Sequence, residues 1–235
     1  MPRRSLLHRS SIPFPTAHAV GVASGWQRWG VNLHWPAALT GRGSSEGACV
    51  TRLMAAVQTD MAGYSRLFAL DDTGTVERLR QLRRDWIRPA IDHHQGMLVQ
   101  TAGDSMLIIF DSVAQAVRSA VAIQHGLALD NENWPDDRRI ALRIGIDLGD
   151  IIMDGMDFHG VGVIIAARLQ AMCPPGGVCI SRAVHERGGH RLGLRCEALG
   201  PLALKNIARP VEAFVLWPSH QEATQVVRIK YPAMT

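Results

Sequence analysis

Cysteine is scarce in this sequence, and its few copies do not cluster. Cys49, Cys173, Cys179 and Cys196 form no CxxC pair, and no histidine stands near them at zinc-finger spacing. Their spacing therefore excludes the common structural zinc sites and gives no basis for a disulfide framework. Reduced, buried thiols and a cytoplasmic location are the expectation.

Long apolar runs are also missing. No run reaches the roughly 18 to 20 residues that a helix needs to cross a bilayer, and no segment has the usual form of a secretory signal. The sequence predicts no membrane span, so any membrane association would have to come from a partner.

Neither sign of charge dominates, because 25 Lys and Arg residues face 21 Asp and Glu residues and leave a formal charge of +4. The clearest basic group lies on a predicted helix and comprises Arg78, Arg80, Arg83, Arg84 and Arg88. A nucleic-acid stripe is one interpretation, but no known reader motif accompanies these arginines. A solvated helix face is the preferred interpretation, and no nucleic-acid partner is expected.

The composition predicts one globular core with flanking segments. At 235 residues and 47% hydrophobic content, the chain can bury one sizeable interior. Residues 1–49 contain four prolines and no sustained apolar period, which predicts a poorly ordered N-terminal extension. The pattern sharpens over residues 50–218, the predicted domain, and residues 219–235 are left as a C-terminal tail.

Strand and helix patterns alternate irregularly within the predicted domain. Alternating apolar residues predict strands at 53–57, 97–99, 106–110, 140–148, 151–153 and 178–181. Helical spacing predicts helices at 73–94, 112–129 and 161–172, with Thr73 as a start signal and Pro89 as a kink. This mixture of hairpins and crossovers predicts an α/β protein of the α+β sandwich type rather than a doubly wound parallel sheet.

Two carboxylates lie at strand ends beside glycine turns. Asp60 precedes Met61, Ala62 and Gly63, and Asp104 follows Gly103 at the tip of a predicted hairpin. Mg2+ is typically held by one or two carboxylates, with substrate phosphates completing its coordination. An aspartate beside a glycine more often caps a turn, so spacing alone leaves both interpretations open.

Six motifs in order decide between them. They are Asp60-Met-Ala-Gly-Tyr-Ser-Arg-Leu, Gly103-Asp104, Arg143-Ile-Gly-Ile-Asp-Leu-Gly-Asp, Gly160 followed by Ala166-Ala-Arg-Leu, Pro175-Gly-Gly-Val-Cys-Ile-Ser, and Leu204-Lys-Asn-Ile-Ala-Arg-Pro-Val. Together they resemble the bacterial branch of the class III adenylate/guanylate cyclase catalytic domains. The resemblance implies a ferredoxin-like fold with a mainly antiparallel sheet flanked by helices.

The resemblance also implies a two-metal site. Asp60 and Asp104 match the carboxylates that bind two Mg2+ or Mn2+ ions, with the main chain of Met61 as a further ligand. Main-chain amides at Ala62, Gly63 and Tyr64 would hold the β- and γ-phosphates, because they lie at the turn into a helix.

A second subunit would complete each site. Arg168 matches the arginine that stabilises transition-state charge, and Lys205 matches the lysine that binds the polyphosphate. Asp157 matches the acid that accepts a hydrogen bond from the adenine amino group, which favours ATP over GTP. A homodimer, or a heterodimer with another cyclase domain, is therefore implied.

Four positions depart from the family pattern. Gln100 stands where a purine-reading lysine is usual, and Ile164 replaces the asparagine that orients the ribose. Ser105 follows the second metal aspartate where glycine is common, and Asp147 occupies a position often held by asparagine. Losing one preorganised donor costs about a hundredfold in rate, so the Ile164 change predicts slow turnover.

The preferred hypothesis is an adenylate cyclase that converts ATP to 3',5'-cyclic AMP and pyrophosphate at a homodimer interface. The alternative is a weak or inactive nucleotide-binding module that needs a complete cyclase as its partner. A basic nucleic-acid binder is the third and least favoured hypothesis, because it predicts strongly salt-dependent binding without a metal.

Overall fold

The computed structural model describes residues 49–155, 157–188 and 194–218. The predicted C-terminal tail and, apart from Cys49, the predicted N-terminal extension lie outside these ranges. The strands are β1 (Val50–Met61), β2 (Met97–Ala102), β3 (Ser105–Phe110), β4 (Leu142–Asp154), β5 (Asp157–His159), β6 (Val178–Ser181), β7 (Arg195–Leu202) and β8 (Val211–Trp217). The α-helices are α1 (Tyr64–Leu70), α2 (Asp72–Leu82), α3 (Arg88–His93), α4 (Val113–Asn131), α5 (Val161–Met172) and α6 (Arg182–Glu186).

The strands form one sheet in the order β2-β3-β1-β4-β6-β8-β7, with β5 paired to β4. Only the β4–β6 pair is parallel among the described strands, and the others are antiparallel. The α/β class and the mainly antiparallel sheet flanked by helices are thus confirmed. The predicted hairpin at residues 97–110 is also present, with Gly103 at φ 59° in its turn.

The two faces of the sheet pack against different helices. Successive residues of a strand point to opposite faces, so neighbouring residues of β1 belong to different clusters. Ala55, Val57 and Met61 of β1 belong to the main core with α4 residues such as Ala120. The alternate residue Ala56 belongs to a second cluster with Ala166 of α5. Asp60 follows the same alternation as Ala56, which places it on the face that α5 covers.

Glycines bring α5 very close to β4. A Cβ built at Gly145 would lie 2.2 Å from the Ala166 carbonyl oxygen, and one at Gly149 would lie 3.0 Å from Gly162 Cα. The prediction that Gly149-Asp150 separates two strands was wrong, since β4 runs unbroken from Leu142 to Asp154. Gly149 serves this close packing and does not form a turn.

The helix predicted at 73–94 is divided into α2, a π-helical turn at Arg83–Ile87, and α3. The Arg88 N–H donates to the Arg83 carbonyl, five residues back, just before Pro89. The wider turn accommodates a proline that has no N–H and whose ring would clash with a carbonyl four residues earlier. The start at Thr73 was also wrong, because Asp71 caps α2 by accepting a hydrogen bond from Gly74 N at 2.9 Å.

The arginines along this helical segment have separate local partners. Arg80, Arg84 and Arg88 pair with acidic side chains on the same segment. Arg78 is buried, pairs with Asp130 at 2.8 Å and lies over the Trp134 ring. The basic group is therefore not one continuous solvated face. None of the helices described here is both long and apolar enough to cross a membrane.

Candidate active site

An acidic pair forms where β1 ends beside the β2–β3 hairpin. Asp60 is the penultimate residue of β1, and Asp104 lies in the hairpin turn. The Met61 N–H donates to Asp104 Oδ2 at 3.3 Å, and the Ser105 hydroxyl donates to Asp60 Oδ1 at 2.9 Å. The structure therefore brings together the three residues predicted to bind metal, which are far apart in sequence.

The charge of this pair is only partly compensated. Burial raises the pKa of Asp104, and the neighbouring Asp60 raises it further, while main-chain N–H groups of Asp104 and Met61 act in the opposite direction. Two adjacent carboxylates disfavour each other's ionised form, whereas a divalent cation between them would favour it.

Arg83 holds the hairpin turn from the helical side. Its guanidinium donates to the Gly103 carbonyl, and it lies near Asp104 and Tyr64. Burial lowers the pKa of Arg83, and the nearby Asp104 and Tyr64 partly offset this effect. The interpretation of Arg83 as part of a solvated helix face is therefore wrong.

The residues present fit Mg2+ or Mn2+ better than a softer metal. Within the described ranges, no group of three or more His, Cys, Asp or Glu side chains could hold a metal on its own. Two carboxylates and a nearby main-chain carbonyl suit a hard cation that takes its remaining ligands from water or phosphate.

Arg143 is a further candidate residue for which the sequence motifs indicate no role. It lies directly opposite Asp60 in the β1–β4 register, so the two side chains emerge on the same face. Its Nε is buried and has no hydrogen-bond partner in the described part of the chain. The motif containing Arg143 was recognised, but only the strand register shows that it neighbours Asp60.

The turn after β1 offers fewer free amides than predicted. The Ala62 N–H donates to the Ala141 carbonyl at 2.8 Å, so the expectation that it binds phosphate conflicts with the structure. The sheet pairing of β1 with the segment before β4 extends this far and uses that donor. Gly63, at φ 71°, caps α1, and Tyr64 is the first residue of that helix.

The residues predicted to contact the base and ribose surround the second cluster, which joins α5 to β1, β3 and β5. Gln100 is exposed on β2 opposite Leu107, and Leu107 belongs to this cluster. Asp157 is exposed and adjoins Phe158, another member, while Ile164 is 46% exposed on α5. Gln100 and Ile164 therefore lie on the α5 side of the sheet, and Asp157 lies in the short strand that precedes α5.

Arg168 and Lys205 adjoin a third cluster at the other end of α5. Leu169 and Leu204, their respective chain neighbours, are both buried in it. Lys205 is exposed in the turn between β7 and β8. Arg168 is half-buried, and its Nε has no hydrogen-bond partner among the described residues.

Asp60 and Asp157 lie at opposite ends of β4 within a single chain. Asp60 pairs with Arg143 near the start of that strand, whereas Asp157 pairs with Asp154 at its end. The acidic pair and Asp157 are therefore far apart within one chain.

This arrangement of strands and acidic residues coincides with a known catalytic domain. The family model "Adenylate and Guanylate cyclase catalytic domain" matches residues 52–218. The chain belongs to this family. The membership confirms the resemblance drawn from the six motifs.

Relatives of this cyclase-family chain include "Putative adenylate cyclase 3" of Rhizobium meliloti (strain 1021), which is 38% identical over 167 residues. That match covers 71% of this chain and 28% of the Rhizobium protein. "Adenylate cyclase" of Streptomyces coelicolor is 28% identical over 58% of this chain and 34% of its own length. The chain thus spans about a third or less of these relatives.

Solved structures extend the likeness to the whole catalytic domain. An "Adenylate/Guanylate Cyclase/Hydrolase" from Silicibacter pomeroyi has 39% identity and a TM-score of 0.67, covering 72% of this chain and 99% of that one. The adenylyl cyclase CyaB from P. aeruginosa has a TM-score of 0.65 at 16% identity, covering 74% of this chain and 98% of that one. At this low identity, the second match shows the fold of the cyclase domain alone.

Proposed function

We propose that residues 50–218 form a catalytic domain that converts ATP to 3',5'-cyclic AMP and pyrophosphate at the interface of a homodimer. The observation that carries this proposal is the pair of carboxylates Asp60 and Asp104, which accept hydrogen bonds from Ser105 and Met61 and lie beside Arg143. A carboxylate pair next to a cation with an unused donor suits a metal-bound triphosphate. Relatives named as adenylate cyclases support this choice of reaction.

Asp60, Asp104 and the main chain of Met61 would hold two Mg2+ or Mn2+ ions. When bound, these ions would supply polarisation of the α-phosphate and activation of the ribose 3'-hydroxyl. Arg143 would bind the polyphosphate through its guanidinium charge, assisted by the N–H groups of Gly63 and Tyr64 at the turn into α1.

A second subunit would supply Arg168, Lys205, Asp157 and Gln100, as membership of the cyclase family implies, and Asp157 lies at the far end of β4 from Asp60 in its own chain. The outer side of α5 supports pairing, since Val161, Ile164 and Met172 are 60%, 46% and 58% exposed there. Arg168 lies on the same helix and would stabilise charge at the α-phosphate, while Lys205 would bind the polyphosphate. A symmetric head-to-tail pair would contain two such sites.

Asp157 favours adenine over guanine. A carboxylate accepts hydrogen bonds, and adenine presents an amino donor where guanine presents a carbonyl acceptor. Gln100 would donate to a ring nitrogen without adding positive charge. We therefore expect ATP to be cyclised faster than GTP.

The direct test is the formation of cyclic nucleotides by purified protein with ATP or GTP and with Mn2+ or Mg2+. We expect cyclic AMP from the wild-type protein and none from Asp60→Ala. Absence of product from a folded wild-type dimer, with both metals and both nucleotides, would contradict the self-sufficient enzyme.

Complementation tests the shared site. Asp60→Ala and Arg168→Ala each inactivate both sites of a homodimer, but a mixed dimer regains one intact site. Random pairing of equal amounts predicts recovery of about one quarter of wild-type activity. If a purified, doubly tagged mixed dimer recovered no activity, Asp60 and Arg168 of each active site would come from the same chain.

Ile164 favours an alternative function. This exposed apolar residue offers no hydrogen bond to a ribose, so the chain could instead lend its metal carboxylates to a complete cyclase. That module would be inactive alone and active when co-expressed with such a partner. The enzyme proposed above predicts product from the chain by itself.

A further inference from the structure

Ser105 is placed to act on the metal carboxylate of the neighbouring strand. It is the first residue of β3 and is partly buried, and its hydroxyl donates to Asp60 Oδ1 at 2.9 Å. Thr59 pairs with Met106 in the β1–β3 register, so the next antiparallel step brings Ser105 opposite Asp60. A glycine at this position would keep the strand pairing and lose the hydroxyl donor.

The bond leaves Asp60 able to bind a cation. An ionised carboxylate has two oxygens with about four lone-pair directions, so Oδ1 can accept from Ser105 while the carboxylate coordinates metal. Met61 N–H restrains Asp104 in the same way at 3.3 Å. Each carboxylate of the pair therefore has one donor from the strand beside it.

We infer that Ser105 is a positioning residue for the divalent cation, holding the Asp60 carboxylate in its metal-binding rotamer before the cation arrives. This inference rests on the proposed function, because it takes Asp60 as a metal ligand. Residues that orient metal ligands typically contribute about tenfold to a hundredfold to metal affinity or activity. The effect of Ser105 falls on cation binding and leaves the chemical step at saturating metal nearly unchanged.

The test measures binding of Mn2+ alone to the full chain, by electron paramagnetic resonance of the free ion. We expect Ser105→Ala to raise the dissociation constant about tenfold, and Ser105→Thr, which keeps a hydroxyl, to stay within about threefold of the wild type. Ser119→Ala is the matched control, because this buried hydroxyl on α4 has no hydrogen-bond partner in the described part of the chain. Thermal unfolding of each variant separates loss of positioning from loss of folding.

Turnover gives a second measurement. The Mn2+ concentration for half-maximal rate should rise about tenfold in Ser105→Ala, while the rate at saturating Mn2+ stays within about threefold of the wild type. A purely structural role for Ser105 would also lower the rate at saturating Mn2+ and reduce the unfolding temperature.

Asp60→Asn distinguishes failure of the proposed metal site from failure of the positioning role of Ser105. If it abolishes Mn2+ binding while Ser105→Ala binds as tightly as the wild type, the positioning role is wrong and the metal site stands. If Asp60→Asn binds Mn2+ normally, or the wild-type protein shows no saturable binding, the metal site itself and the inference built on it both fail. Ser105→Thr as weak as Ser105→Ala would also overturn the role of the hydroxyl.

Discussion

Asp60 and Arg143 lie opposite each other in the antiparallel pairing of β1 with β4. Directly opposed residues have Cβ atoms about 4.5 to 5.5 Å apart, so the acid and the base share one small area of the sheet. They form no ion pair within the described ranges. Arg143 thus remains available to an anion that approaches the acidic pair, and a metal-bound triphosphate is such an anion.

Arg143→Gln should therefore weaken substrate binding. We expect the KM for ATP to rise about tenfold or more, because a charge-assisted bond to phosphate is replaced by a neutral one. Arg143→Lys keeps the charge without the bidentate geometry, so its KM for ATP should lie between those of the wild type and Arg143→Gln. Steady-state kinetics at saturating Mn2+ measure this effect, and an unchanged KM in Arg143→Gln would exclude the phosphate contact.

The strands and the hairpin were predictable because their signals are local, whereas the metal-binding role of the acidic pair was implied only by the resemblance of six motifs. Asp60 and Asp104 each follow an apolar strand beside a glycine, and the hairpin that carries Asp104 has a short polar turn. The position of Arg143 beside Asp60 depends on the pairing register of two strands that are far apart in sequence. Arg143 is 83 residues from Asp60, and nothing in its own segment indicates which strand residue it opposes.

Local rules failed where tertiary packing changed the meaning of a residue. Gly149 resembled a turn signal but lies inside β4, where it allows the close approach of α5. Arg83 resembled its solvated neighbours, yet the π-helical turn before Pro89 directs it to the hairpin carbonyl at Gly103. Neither the helix–sheet distance nor the extra residue in a helical turn can be deduced from hydrophobic period alone.

Arg83 should stabilise the turn that carries Asp104. We expect Arg83→Ala to lower the free energy of unfolding by about 1 kcal/mol, since it loses a hydrogen bond between a charged donor and a main-chain carbonyl. The Mn2+ concentration for half-maximal rate should also rise about threefold, because the turn that carries Asp104 would be held less firmly. Urea unfolding and metal titration measure these changes.

Arg84→Ala is the matched control for Arg83. Arg84 is the next residue in the chain, but its guanidinium is exposed and pairs with Asp85. It should change both quantities little, because many ion pairs between fully exposed side chains contribute nothing measurable to stability. Equal effects from the two substitutions would show that the turn does not depend on Arg83.

Asp147 should make stability depend on pH. It is 5% exposed, and burial raises its pKa to about 6, an effect that the Ser181 hydroxyl and the Leu148 N–H partly offset. A raised pKa in the folded state means that the folded protein binds more protons between about pH 4 and pH 6. The destabilisation from ionised Asp147 therefore grows as pH rises through this window and is complete above it.

Asp147→Asn should remove that dependence. A shift of about two pH units corresponds to about 3 kcal/mol, so the variant should gain up to about this much stability over the wild type at pH 8. Near pH 4 most of the gain should be lost, because Asp147 is then protonated in the folded state and about half protonated in the unfolded state. Thermal unfolding of both proteins across pH 4 to 8 would contradict this account if their difference stayed constant.

Ile164 offers a gain-of-function test of the shared site. The family pattern has asparagine here, and Ile164 is 46% exposed on the outer side of α5, so an amide would fit without repacking the core. Ile164→Asn should raise kcat for ATP by about tenfold or more, since one preorganised donor to the reacting substrate has an effect of this order. Initial rates at saturating Mn2+ and ATP measure the change.

Val161→Asn controls for the loss of an exposed apolar side chain from α5. Val161 is 60% exposed on the same helix and has no predicted contact with the ribose. Sedimentation should show equal dimer content in both variants, so that any difference in their rates reflects the catalytic step and not dimer formation. A rate increase confined to Ile164→Asn would place this residue against the ribose held by the partner's acidic pair. Equal rates in the two variants would assign the slow step to another group and favour the partner-dependent module.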